Sequence, residues 1–235
     1  MSERGSLCVL VSGGIDSAVA LAEAIRGRDG VLPVYVRSGL VWEPAEMYWL
    51  ERLLQTLRGR GGGGAGDPGA PAGLADLTVL DLPVHDLYRD HWSLTGKDPP
   101  GAASPDDAVY LPGRNVLLLA KTGIYAAERK CRAIVMGPLA ANPFPDSTRA
   151  FFDAMGEALG RGMGLPAALP IETPLAGLTK PEVIHRGRDL RLDLTFSCLS
   201  PTPDHRHCGR CNKCAERRRG FADADVPDPT EYAAH

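Results

Sequence analysis

Residues 10–17 read Leu-Val-Ser-Gly-Gly-Ile-Asp-Ser. An apolar strand, Leu7–Val11, runs into this Ser/Gly turn, and an Ala-rich helix is expected at once, over Ser17–Arg26. A turn of this kind leaves backbone N–H groups unpaired at the positive end of a helix, where phosphate oxygens are favoured. Gly13 and Gly14 let the backbone approach an oxyanion closely, and Ser12 and Ser17 add hydroxyl donors. No lysine follows, so this is not the Gly-x-x-x-x-Gly-Lys-Ser/Thr loop that grips β- and γ-phosphates. The plain alternative is a strand–turn–helix with a polar turn.

The second strong signal lies near the C-terminus. Cys198, Cys208, Cys211 and Cys214 are separated by nine, two and two residues. Two overlapping Cys-x-x-Cys steps bring three thiolates to one ion, and the nine-residue loop returns the fourth. Tetrahedral zinc with four sulfur ligands is the expected product, in a structural site with no open position. Gly209 stands where a tight turn needs room, and Arg210 and Lys213 offset part of the thiolate charge. Alternatives are an iron–sulfur cluster, disulfides, or a Cys3His site using His205 or His207. The histidines read as solvated loop residues. Cys8, in the first strand, and Cys131, after a helix, read as small buried hydrophobes.

Composition sets limits rather than a function. The 235 residues suffice for one large α/β core with an appendage, expected as a nucleotide-binding domain over 1–194 and a metal-binding region over 195–235. A formal net charge of −3 provides no field toward nucleic acid or membrane. No apolar run reaches the length of a membrane span, and the start, Met-Ser-Glu-Arg-Gly, does not read as a signal peptide. A cytoplasmic location is the expectation.

Strand and helix patterns alternate. Val31–Val36, Leu77–Leu82 and Ala133–Gly137 read as strands; Pro44–Leu57, Asn115–Arg129 and Ser147–Gly160 read as helices. Thr179 and Glu182 have capping-box spacing, so another helix is expected there. Short apolar strands between amphipathic helices predict a doubly wound α/β fold with a mostly parallel sheet, ligands lying beyond the carboxyl ends of its strands. Gly59–Gly64 formally contains Gly-x-Gly-x-x-Gly, but it follows a helix inside a Gly/Ala/Pro-rich tract reaching Gly73, and reads as a flexible insertion. The polar, Pro-rich stretch Thr95–Ala108 reads equally as a lid or a surface excursion.

Four features in order then carry a resemblance. Ser-Gly-Gly-Ile-Asp-Ser, at 12–17, resembles the pyrophosphate loop of the ATP pyrophosphatase superfamily. With Leu111-Pro-Gly-Arg-Asn115, Thr173-Pro-Leu-x-x-Leu-Thr-Lys180 and Thr195-Phe-Ser-Cys198 to His207-Cys-Gly-Arg-Cys-Asn-Lys-Cys214, it resembles the 7-cyano-7-deazaguanine synthase family. The resemblance implies an adenine nucleotide alpha hydrolase-like fold, a small zinc-bearing C-terminal region and a homodimer. It also implies that 7-carboxy-7-deazaguanine, ammonia and ATP yield the nitrile, on the route to queuosine, through adenylated acid and amide. Val11, Ser12, Gly13, Gly14, Ile15, Asp16, Ser17 and Ala18 would hold ATP, with the adenine near Val36. Asp16 would place magnesium or pin the loop, or simply cap the first helix. Arg114 and Lys180 are candidates for phosphate or carboxylate contacts, or ordinary surface cations. Asn115, Phe144 and Asp146 are the substrate candidates: Phe144 for stacking, Asp146 for accepting from a guanine-like edge or for capping the next helix.

Two stretches depart from the family pattern. Gly137–Ser147 replaces an Asp-Tyr-Ser-Gly-Tyr-Pro-Asp-Cys-type run, and Arg37-Ser-Gly-Leu-Val-Trp42 replaces a Gly-Gln-Arg-His-like one. These leave open a sister amide- or nitrile-forming ligase acting on another carboxylate. A tRNA-modifying enzyme of the superfamily is a second reading, with Arg206, Arg210, Lys213, Arg217, Arg218 and Arg219 as phosphate contacts. A non-enzymatic zinc-bearing module is a third, and fits poorly with an intact nucleotide loop.

Overall fold

The computed structural model describes residues 5–27, 30–59, 73–140 and 142–233. Most of the Gly-rich tract expected over 59–73 lies outside these residues. Five strands, β1 (Leu7–Leu10), β2 (Val31–Arg37), β3 (Thr78–Asp81), β4 (Ala133–Val135) and β5 (Ile171–Glu172), form one sheet in the order β3-β2-β1-β4-β5. Every neighbouring pair is parallel; Leu7 sits opposite Val31 on one side and Ala133 on the other. The order reverses beside β1, so the cleft between β1 and β4 is the switch point where such sheets bind ligands.

The strands are apolar on both faces because helices cover both. Alternate residues point to opposite sides. Val9, Tyr35 and Val135 pack with α1 (Ile15–Arg26), α2 (Glu43–Gly59) and the later α7 (Lys180–Arg186) and α8 (Asn212–Asp223). Cys8, Leu10, Val34, Val36 and Ile134 pack with α5 (Arg114–Glu128) and α6 (Arg149–Gly162). Two short helices, α3 (His85–Tyr88) and α4 (Trp92–Thr95), fill the long connection between β3 and α5. No helix among the described residues is long and apolar enough to cross a membrane.

The differences from expectation have local causes. The first helix begins at Ile15, before Ser17, because Gly14 is still extended (φ −71°, ψ 163°) and acts as its N-cap. The expected Ser147–Gly160 helix begins at Arg149: Pro145–Ser147 forms a separate tight turn, and the Thr148 side chain accepts from the Phe151 N–H at 3.2 Å. β5 has only two residues, too few for any periodic signal. Thr179 and Glu182 do form a capping box at the start of α7. Cys8 and Cys131 are both buried, beside each other in the core between the sheet and α5–α6.

Leu21, fully buried on α1, reports on this packing. Leu21→Ala is expected to cost about 2–5 kcal/mol, read as a lower urea midpoint with an unchanged slope; a loss under 1 kcal/mol contradicts the packing described.

Candidate active site

The Ser12–Ser17 loop closes on itself. The Ser12 N–H donates to Ser17 Oγ at 3.2 Å, and the Ser17 hydroxyl donates to the Gly14 carbonyl at 3.1 Å. Gly13 has φ +77°, a conformation that favours glycine, and a Cβ there would press on the Glu46 carbonyl oxygen at 3.3 Å. No side chain caps the start of α1. Its first residues, Ile15, Asp16 and Ser17, instead face a cavity of about 350 Å³, a size usual for small-molecule sites.

That cavity gathers residues from the whole chain. Among the sequence candidates, Val11, Ser12, Gly14, Ile15, Asp16, Ser17, Val36, Arg114, Asn115, Phe144, Asp146, Lys180 and Cys198 line it. Gly13 and Ala18 lie in the loop and helix behind this lining, and Cys208, Cys211 and Cys214 lie beyond it.

Asp16 does not cap its helix. Lys180, the first residue of α7, holds both of its carboxylate oxygens, at 2.8 and 2.7 Å. Lys180 also reaches Glu216 on α8 at 3.4 Å, and Glu216 in turn binds Lys213. Burial opposes the Lys180 charge, but Asp16 and Glu216 outweigh it and raise its pKa. Burial likewise opposes the Glu216 charge, yet Lys213 and Lys180 bring its pKa down to about 2. Beside this chain of charges, the buried Arg217 donates to the Thr195 hydroxyl and the Leu192 carbonyl, which fixes α8 against the core.

On the other wall, Asn115 and Asp146 meet each other. The Asn115 N–H donates to Asp146 Oδ2 at 3.0 Å, and its side-chain amide donates to the Asp146 carbonyl at 2.9 Å. Asp146 therefore serves the first turn of α5 rather than capping the helix that follows it. Phe144 stacks on Tyr110, with ring centroids 4.9 Å apart. Arg114, first residue of α5, has a buried Nε with no hydrogen-bond partner, so a cation faces this cavity without its full set of acceptors.

The sequence reading missed several lining residues. Trp42 and Trp92 stack at 5.6 Å, and Phe196 joins them at the cavity wall. Tyr35 donates to Glu46 Oε2 at 2.7 Å, both groups being buried. Glu43 accepts from the Ser38 and Gly39 N–H groups and so clamps the turn after β2; burial raises its pKa. Glu43 and Glu46 had a faint signal, since acids in the first turn of a helix ordinarily complement its dipole. That common role hid them.

The four cysteines come together. Their sulfurs lie within 4.8 Å of one another, with separations of 3.9, 3.9 and 3.5 Å for Cys198–Cys211, Cys208–Cys214 and Cys211–Cys214. A tetrahedral ion with Zn–S bonds of about 2.3 Å needs sulfurs about 3.8 Å apart, so the set fits one. N–H groups of Leu199, Cys208 and Arg210 point at Cys211, Cys198 and Cys208 sulfurs, which suits thiolates. Gly209 makes the turn with φ +78°. His207 is not solvated: it is buried, accepts from the Ser197 N–H at 3.1 Å, and burial lowers its pKa to about 3. His205 packs on Tyr48. The Thr95–Ala108 stretch clasps this segment, because Asn212 N–H donates to the Pro100 carbonyl and its side chain to that of Ser104.

The family model for queuosine biosynthesis protein QueC matches residues 6–225. The chain belongs to this family. A 7-cyano-7-deazaguanine synthase of Methanopyrus kandleri is 34% identical, over 95% of this chain and 97% of its own. That of Azoarcus sp. is 32% identical, over 100% of both chains. Among solved structures, a 4-thiouridine synthetase–RNA complex with bound ATP covers 94% of this chain and 51% of that one, at 17% identity and a TM-score of 0.48, a likeness too slight to bear on function.

The charge chain carries a pH signature. Glu216 has a depressed pKa, so its stabilising effect is present above its ordinary value of 4.5 and lost as pH falls toward about 2. Glu216→Gln is expected to flatten the acid limb of stability across that window, by about 3 kcal/mol at most. An acid limb unchanged in the variant contradicts the pairing.

Proposed function

We propose that this chain converts 7-carboxy-7-deazaguanine and ammonia to 7-cyano-7-deazaguanine at the expense of ATP, through an adenylated acid and an amide. The observation that carries the reading is one cavity joining an uncapped, glycine-turned loop at a helix start to an under-partnered arginine and a wall of aromatic rings. Family membership and relatives named for this synthesis support it.

The chemistry asks for these parts. A carboxylate is a poor electrophile because oxide is a poor leaving group; transfer of AMP to one oxygen makes that oxygen depart readily. The Ser12–Ser17 backbone, with Val11, Ile15 and Ala18 around it, takes the pyrophosphate portion, and the adenine lies toward Val36. Magnesium would come with the triphosphate and offset its negative charge. With both Asp16 oxygens on Lys180, Asp16 acts by pinning the loop. Arg114 meets the anionic group of the acid or the phosphate. The wall of rings, Trp42 on Trp92 and Phe144 on Tyr110, takes the flat heterocycle. Asn115 and Asp146 shape that end of the site. Cys198, Cys208, Cys211 and Cys214 would hold a structural zinc, and the family resemblance implies a homodimer. The tRNA-modifying reading loses support because much of the basic run is already paired or buried: Arg206 pairs with Asp204, Lys213 with Glu216, Arg219 with Asp106, and Arg217 is buried.

Mass spectrometry after incubation with ATP, magnesium, ammonium and 7-carboxy-7-deazaguanine is expected to show the nitrile, with AMP and pyrophosphate. Bound ATP without conversion of this acid would assign a different carboxylate. Purified protein is expected to hold about one zinc per chain, and Cys208→Ser to lose it; a full metal content in that variant contradicts the four-sulfur site.

A further inference from the structure

Making a nitrile from ammonia breaks three N–H bonds, so the cavity needs a group that takes protons. Four carboxyl groups line it: Asp16, Glu46, Asp146 and Glu216. Asp16 is held by Lys180 through both oxygens, and Glu216 is shared between Lys180 and Lys213. Both oxygens of Asp146 face Asn115 donors, at 3.0 and 3.5 Å. Glu46 differs. One oxygen takes the Tyr35 hydroxyl at 2.7 Å, and the other has no hydrogen-bond partner among the described residues. Among the described residues no histidine lines the cavity, and both lysines there are in ion pairs.

We propose that Glu46 is the general base of the two nitrogen steps, an inference that rests on the function proposed above. In the first step the ammonia lone pair forms the C–N bond at the adenylated carboxyl carbon. AMP leaves with the C–O electron pair, and Glu46 takes one proton from the nitrogen. In the second, the amide oxygen attacks the α-phosphorus of another ATP and expels pyrophosphate. The nitrogen then loses its two remaining protons in turn, to Glu46 and through it to water, as the C–O bond to AMP breaks and C≡N forms.

The surroundings suit a base working near neutrality. Burial pushes the Glu46 pKa up to about 7; Arg114 from α5 and the Tyr35 hydrogen bond from β2 restrain the rise, and Glu43 on its own helix adds to it. Gly13 of the nucleotide loop lies against the Glu46 backbone carbonyl. A base whose pKa lies near the working pH is deprotonated often enough to act and still releases its proton.

Glu46→Gln tests this, with two readouts on the intact protein. Pyrophosphate exchange dependent on the acid measures adenylation, which needs no base, and is expected to persist. Single-turnover amide formation is expected to fall about 100-fold or more. Referred to free ammonia, the wild-type rate should rise with pH through about 7, and the variant's should be flat. Tyr35→Phe removes a bond that lowers the Glu46 pKa, so its limb should move to higher pH. The proposal is overturned if Glu46→Gln keeps the wild-type rate and pH profile, if it raises only KM for the acid, or if exchange is lost with amide formation. A wild-type protein that makes neither amide nor nitrile instead overturns the functional reading beneath it.

Discussion

The contact on which the site depends is Lys180, whose ammonium lies between Asp16 of the nucleotide loop and Glu216 of α8. It joins parts of the chain 164 residues apart. Each partner is only partly exposed, so removing one would leave a poorly solvated charge, a far larger penalty than loss of a surface pair. The capping box at Thr179 fixes the start of α7, and with it the lysine that follows. On the far side, Cys211 is the N-cap of α8 and Cys214 lies in its first turn, so the cysteine segment sets where Glu216 stands. The Phe196 N–H donates to the Gly13 carbonyl at 2.7 Å, a second tie between that segment and the loop. The cysteine segment thus reaches the nucleotide end of the cavity through Glu216 and Phe196.

The opposite end is where this chain departs from the family pattern. Trp42, Trp92, Tyr110 and Phe144 present rings there, Trp42 and Phe144 from the two departing stretches, with Arg114, Glu46 and Asp146 as charges among them. Low local polarity raises the pKa of Glu46 and leaves the Arg114 guanidinium under-partnered. Both effects come from the same burial. Such a wall suits a flat heterocycle, as the proposed function requires.

The nucleotide loop and the cysteine set were legible because each is a contiguous motif whose spacing matters more than its surroundings. The alternation of strands and helices was legible from apolar periodicity, except for β5, which is too short to show any. What could not be read is long-range pairing. Nothing in the neighbourhood of Asp16 points to Lys180, and nothing near Asn115 points to Asp146. Glu46 looked like an ordinary acid in a first helical turn, and only the placement of Tyr35 and Arg114 around it gives it another character. Likewise His207 read as a loop residue because its acceptor role toward Ser197 is set by tertiary packing. The place of the Thr95–Ala108 stretch likewise depends on a distant residue, Asn212, which holds it.

The most direct test is ATP affinity, by calorimetry, in Cys214→Ser protein that retains its sheet and α1 by circular dichroism. If the cysteine segment positions α8, and through Glu216 and Lys180 the nucleotide loop, affinity should fall by about tenfold or more, equivalent to about 1.4 kcal/mol. An unchanged affinity would mean that the loop holds its shape alone, and would contradict the coupling.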